Sequence, residues 1–319
     1  MLKIFIQKRQ TSQTDEATML KTLRSRIFEL AHLAHNGLDR NKTIFYSGEI
    51  SEEIKVFAAT HGLLSVFEVK KFDGTTGLGY SFVHLSSQEF FAALYLIMDE
   101  TVTPSALHKR LHLKSKWNLK FKTKEELTDQ FHIFLSGLSS KDCQPFLLKL
   151  SEHSENLIQK KQETILESLV KLADTQLTGP KLIELCHCIY ETQDQKLAKH
   201  VGKDLAHKYG LKNFRITPVD MTAVAFVVKH GSCLVSLDFT GCPMELECLE
   251  VLGSCENVES LSFKSKKYGG TFAEALSPVI AGMKYLRRIR CCTFLSTLYV
   301  LIPYSAKCLH WEKRIIPDP

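Results

Sequence analysis

The chain has 319 residues, 44% hydrophobic and 24% charged, which excludes intrinsic disorder and leaves ample apolar surface for a core. At about 100–200 residues per domain, that length holds two or three packed units. The net charge of +6 is local: His108 to Lys124, "HKRLHLKSKWNLKFKTK", holds seven basic residues and no acid, so the rest of the chain is close to neutral.

The opening "MLKIFIQKRQ" has a broken apolar stretch, shorter than the roughly 7–15 residues of an export signal. The longest uncharged apolar run, Phe90 to Met98, falls below the roughly 18 needed to span a bilayer. Ten cysteines, none before Cys143 and seven from Cys233 onward, therefore read as reduced thiols of a cytoplasmic protein.

From Met19, the residues Leu20, Leu23, Ile27, Leu30, Ala31 and Ala34 recur at helical spacing, and Asn36-Gly37 predicts a stop. "SEEIKVFAATHG" predicts a second helix, with acids in its first turn and Gly62 as a left-handed cap. In "LLSVFEVKKFDGTTGLGYSFVHL", β-formers on both sides of a glycine turn predict a hairpin. Ser86 with Glu89 matches a capping box that would open the helix "QEFFAALYLIMDE". Helix, helix, hairpin, helix is the order of a winged-helix unit.

Beyond the basic strip, Leu127, Phe131, Phe134, Leu135 and Leu138 share one helical face. Similar stripes run through Ile165, Leu166, Leu169 and Leu172, through Leu182, Leu185, Cys186 and Ile189, and through Leu197, Val201 and Leu205. The middle third is thus a helical bundle or solenoid, ending at Gly210.

The last third changes rhythm. Leu234-x-x-Leu237-x-Phe239-x-x-Cys242, Val258-x-x-Leu261-x-Phe263 and Leu286-x-x-Ile289-x-Cys291 start 24 and 28 residues apart, inside the roughly 20–29 of leucine-rich repeats. "ELECLEVLGS" and "TFAEALSPVIAGM" would supply the helices between strands, and Cys242 would be buried at the turn after its strand. Beyond Cys292 no repeat is visible, and an atypical tail is expected. The predicted fold is mainly α with a small β hairpin: winged helix, helical domain, then a short α/β leucine-rich repeat solenoid.

Three stretches carry a family resemblance. "SFVHLSSQEFFAALYLI" resembles the winged-helix signature of the NOD-like receptors, innate-immune proteins with a NACHT nucleotide-binding module and leucine-rich repeats; "LTDQFHIFLSGLSS" and "LCHCIYETQD" are similar to the opening and closing parts of their second helical domain. The resemblance implies a remnant of an upstream NACHT helical region at 1–19, a winged helix at 20–104, a second helical domain at 105–215, repeats at 216–291 and the tail at 292–319. It also implies protein partners, through self-association, signalling adaptors and repeat ligands, in inflammatory signalling or its restraint. In that family the winged-helix histidine meets the β-phosphate of ADP, and His84 is the matching position; its plain alternative is a cap on the strand–helix junction. The phosphate-cradling G-x-x-x-x-G-K-[ST] is absent from this sequence. The nucleotide core is therefore expected upstream, and ATP or ADP only in its presence; this chain holds no cofactor of its own.

Other constellations carry less. His108 and His112 lie four apart, but no acid accompanies them and Lys109 and Arg110 would repel a cation, so no metal site is expected. Cys186, His187 and Cys188 point about 100° apart on a helix and read as core. The strip Lys109, Arg110, Lys114, Lys116, Lys120, Lys122 and Lys124, interleaved with Trp117 and Phe121, suits an anionic partner or a solvated linker, and leaves open a nucleic-acid-binding or transcription-regulating role. Glu52-Glu53 and Glu125-Glu126 sit at helix starts, where the dipole explains them. No catalytic residue is identified, and no enzyme is expected. A shortened chain that binds receptors or adaptors as a decoy is the alternative function.

Overall fold

Helix α1 (Glu16–Asp39) continues through the stop expected at Asn36-Gly37. In the computed structural model, which describes residues 16–70, 74–111, 113, 130–151, 155–175, 177, 179–205, 209–264, 268–291 and 310–313, Gly37 lies inside the last turns of that helix. A Cβ there would stand 2.6 Å from both the Gln88 amide and the Phe45 ring. Glycine usually costs a helix about 1 kcal/mol against alanine, and close packing rather than termination accounts for it here. Ile27, Leu30, Ala31 and Ala34 are fully buried, as their spacing predicts.

Strand β1 (Phe45–Tyr46) precedes α2 (Glu52–His61), whose ends follow the expected chemistry. Ser51 accepts the Ile54 N–H, and Gly62, at φ 63°, returns its own N–H to Ala58 and Ala59. Strands β2 (Leu64–Lys70) and β3 (Thr76–Phe82) form the predicted hairpin, antiparallel from Leu64 opposite Phe82 to Lys70 opposite Thr76, in a sheet ordered β1-β3-β2.

Helix α3 (Leu85–Met98) is N-capped at His84, not at Ser86. The expected capping box is absent because Glu89 turns inward: it is 1% exposed and accepts the Gln130 N–H at 3.1 Å. With Phe91, Ala92, Ala93, Leu94, Leu96, Ile97 and Met98 all buried, α3 is apolar around most of its circumference and serves as the central helix against α1. Helix α4 (Pro104–Arg110) starts with Thr103 accepting the Ala106 N–H. It is followed by α5 (Phe131–Gly137), α6 (Gln144–Leu150) and α7 (Glu155–Ala173). Contacts divide the chain into two units, the boundary falling at Leu166–Glu167.

In the second unit, α8 (Gly179–Thr192) buries Leu182, Leu185, Cys186 and Ile189, and α9 (Gln195–Leu205) buries Leu197, Val201 and Leu205. Both pack on α10 (Pro218–His230), which Thr217 and Asp220 open with a reciprocal capping box. A parallel sheet follows, built from β4 (Val235–Asp238), β5 (Val258–Phe263) and β6 (Arg288–Cys291), with α11 (Glu247–Gly253) and α12 (Gly270–Gly282) between its strands. Leu237, Leu261 and Ile289 fall in one buried row. Asn257 holds the first crossover by donating to the Val228 and Cys233 carbonyls at 2.7 and 3.0 Å. Cys242 is fully buried and its Sγ donates to the Leu211 carbonyl, as expected for that turn position.

The sheet does not stop at Cys291. Strand β7 (His310–Lys313) pairs parallel with β6 in unbroken register, from His310 beside Arg288 to Lys313 beside Cys291. A pairing strand therefore lies inside the tail in which no repeat was expected. Its Trp311 stands in register with Ile289, in the row where the other strands carry an aliphatic residue, which is why periodicity passed over it. The fold is mainly helical with two small sheets.

Candidate functional site

His84 stands where β3 hands over to α3, with φ −134° and ψ 146° and no side-chain capping bond. The backbone around it is fixed. Val83 donates its N–H to Leu63 O at 3.2 Å, and the His84 carbonyl accepts from Ser87 and Gln88. The side chain itself is exposed. No acid occupies the first turn of α3, so the positive end of the helix dipole and an imidazole meet at one solvent-facing point, an arrangement that suits an anion.

The rest of α3 is pinned. Gln88, 1% exposed, donates to Lys42 O at 2.9 Å and Ala34 O at 3.5 Å, and the close approach at Gly37 makes room for it. Glu89 holds the start of α5 through Gln130. At the far end, the Lys161 ammonium, 1% exposed, donates to Leu96 O at 2.9 Å, to Ile97 O at 3.1 Å and to Asp99 O. A lysine of α7 thus satisfies carbonyls that a helix C-terminus leaves unpaired. Burial lowers the Lys161 pKa to about 8, against the pull of the Asp99 and Glu100 carboxylates.

Sequence reasoning passed over Gln88, Glu89 and Lys161 as sites of consequence. The only signal for Lys161 is its phase: it shares a helical face with Ile158 and Ile165, both fully buried.

The basic strip is only partly within the described residues. Lys109 and Arg110 are exposed in the last turn of α4. The Arg110 guanidinium is engaged by Asp39, at 2.7 and 2.9 Å. Lys114, Lys116, Lys120, Lys122 and Lys124 lie outside the described residues, as do His112, Trp117 and Phe121.

Cys186 and Cys188 are fully buried, and burial pushes the Cys186 thiol well up. His187 meets Asp220 at 2.8 Å. Burial pushes the Asp220 carboxyl up, but hydrogen bonds from His187 and Thr217 outweigh that and hold it low. This pair ties α8 to the cap of α10. Among the described residues no group of three His, Cys, Asp or Glu is placed to hold a metal, and no helix is long and apolar enough to cross a membrane.

A helix-turn-helix with a hairpin wing, followed by a helical domain, is the class of protein this geometry defines, and comparison with known families agrees. Residues 21–82 match the helix-turn-helix domain described for NLRC5, and residues 84–200 match the helical domain HD2 of NLRC4. His84 is the first residue of the second match. Protein NLRC5 of Homo sapiens is 40% identical over 265 residues, covering 83% of this chain and 14% of that protein. Protein NLRC5 of Ictalurus punctatus is 38% identical over 281 residues, 87% of this chain and 16% of that protein. NACHT, LRR and PYD domains-containing protein 1a of Mus musculus is 29% identical over 243 residues, 69% of this chain and 20% of that protein. The chain belongs to the NOD-like receptor family and spans about a sixth of the length of the NLRC5 proteins it matches.

Proposed function

We propose that this chain is a regulatory portion of a cytoplasmic, innate-immune NOD-like receptor, holding an autoinhibited state through its winged helix and helical domain and meeting partner proteins through a short leucine-rich repeat solenoid. The observation that carries this reading is the mounting of α3. Its N-terminal end presents the His84 side chain to solvent, and its other end is clamped by Lys161, inside the segment that matches a helical domain. A nucleotide phosphate on His84, supplied with an intact nucleotide-binding core, would act on a rod already fixed to that domain. In this reading the chain is not an enzyme, carries no cofactor alone, and works by release of the closed state and assembly with signalling proteins.

The test is His84→Leu in a receptor carrying the nucleotide-binding core. Basal signalling should rise without ligand, while the same change in the chain alone should shift stability by less than about 0.5 kcal/mol, since an exposed side chain is removed. Unchanged basal signalling would count against the phosphate role. Immunoblotting of cell lysate with an antibody to 234–285 supports the receptor reading if the band lies well above 36.2 kDa. A band at that mass favours a decoy that binds receptors or adaptors without switching.

A further inference from the structure

The wing hairpin places a seven-residue strand, β2, at the end of its sheet. Among the described residues no strand pairs with its far side, and Ser65, Val66, Glu68 and Lys70 are exposed along it. Such an edge is a template for another strand. Which groups it offers follows from the register. Val83 donates its N–H to the Leu63 carbonyl, so these two form a hydrogen-bonded pair, and in an antiparallel ladder such pairs alternate with non-bonded ones. The register then runs unbroken from Leu64 opposite Phe82 to Lys70 opposite Thr76. Ser65, Phe67 and Val69 therefore bond inward to β3, while Val66, Glu68 and Lys70 aim their N–H and C=O groups outward.

A second copy of the same strand, laid antiparallel, meets those groups, and the charges select its register. Only alternate registers bring outward groups onto outward groups. One of them sets Glu68 opposite Glu68 of the second copy and another sets Lys70 opposite Lys70, and like charges directly opposite are destabilising. The register between these two sets Glu68 opposite Lys70 and Lys70 opposite Glu68, with Val69 facing its own mate. Sliding further would set Lys70 against Leu64, which is 5% exposed, and Glu68 against Val66. Val69 is half-buried and lies with Phe67 over Gly79, where a Cβ would clash with Val69 Cγ2. Antiparallel pairing keeps each face continuous, so the two apolar patches meet edge to edge.

We propose that β2 pairs with β2 of a second copy, antiparallel about a two-fold axis at Val69, joining two three-stranded wings into one sheet through reciprocal Glu68–Lys70 pairs. The contact is small, with Kd on the order of 0.1–1 mM, and takes effect where an assembly already holds copies close together. Its use in a cell rests on the reading of the chain as part of a receptor that assembles; the pairing itself does not.

Sedimentation equilibrium of the full chain from about 20 to 500 μM reads the pairing as a weight-average mass rising from 36.2 kDa toward its double. Glu68→Lys and Lys70→Glu, each alone, put like charges opposite each other at both pairs and should weaken association by at least about tenfold. Mixed in equal amounts these two variants should recover it, one copy being basic at both positions and the other acidic at both. The exchange Glu68→Lys/Lys70→Glu within one chain should recover it too. Glu68→Pro, which removes an outward N–H and no bond to β3, should abolish association that Glu68→Ala only weakens, and circular dichroism confirms the fold of each variant. A native chain that stays monomeric over this range overturns the proposal. So does association indifferent to the single reversals, or one that neither mixing nor exchange recovers. None of these outcomes bears on the phosphate role of His84, which His84→Leu tests separately.

Discussion

Two residues show how much of this fold rests on single contacts. Gly37 is inside a helix, where alanine is ordinarily favoured, yet a Cβ would meet Gln88, Phe45 and the Lys42 carbonyl at 2.6–2.8 Å. Gly37→Ala should therefore destabilise the first unit by about 1–3 kcal/mol despite its better helix propensity, which urea unfolding would read as a lower midpoint at unchanged slope. Phe91 is 1% exposed and packs against Phe82, the ring centroids 5.9 Å apart and the planes tilted by 39°. Phe91→Asp puts an unpaired charge into that core and should abolish cooperative unfolding of the unit. Phe90, half-buried and edge-on to Phe134 at 5.8 Å, should tolerate the same change better, because its carboxylate can reach water.

At the scale of elements, α3 is held by polar groups in an otherwise apolar setting. Lys161 is the extreme case: a buried ammonium with backbone carbonyls for partners. Its folded pKa, about 8, is below the roughly 10.4 of an unfolded chain. Between those values the unfolded state binds the proton that the folded state has released, so stability contributed by this group rises with pH over that window. The gain is bounded at roughly 3 kcal/mol. Tyr95, which burial and the Asp99 carboxylate push up to about 12, acts oppositely above about 10, where the unfolded phenol ionises first. Burial also raises the Cys186, Cys242, Cys248 and Cys255 thiols, whose unfolded forms ionise first above about 8.5 and lower stability there. The Lys161 contribution is therefore read as a difference: in thermal melts from pH 7.5 to 10 the melting temperature of the native chain should rise relative to that of Lys161→Met, which at pH 7.5 should melt lower because three carbonyls lose their donor. A rise of equal size in the variant would mean that another group is titrating.

For the molecule as a whole, the two family matches cover 21–82 and 84–200, and the parallel sheet lies beyond them. That sheet depends on its last strand. Ending the chain after Cys291 removes β7 and leaves the β6 edge with unpaired N–H and C=O groups, a template for association with other chains. The shortened chain should melt lower and show concentration-dependent association in sedimentation velocity. Unaltered melting and a monomeric boundary would show that β7 contributes nothing to the sheet.

Local patterns in the sequence determined the acidic first turn and the Gly62 cap of α2, the β2–β3 hairpin, the buried stripes of α8 and α9, and the strand spacing that placed Leu237, Leu261 and Ile289 in one row. Each depends on neighbours within a few residues or on the periods of helix and strand, which a sequence displays directly. The place of His84 at the strand–helix junction was legible for the same reason, whereas its phosphate role was implied only by the family resemblance. The tertiary structure alone decided why Gly37 is a contact and not a stop, why Glu89 turns inward instead of capping, which carbonyls the buried Lys161 meets, and that β7 extends the sheet. These depend on partners far along the chain: Lys161 and the carbonyl of Leu96 are 65 residues apart. A buried polar group settles on whichever distant backbone atom lacks a bond, because leaving either one unpaired in the core costs about 1–3 kcal/mol; no periodicity records which pair that will be.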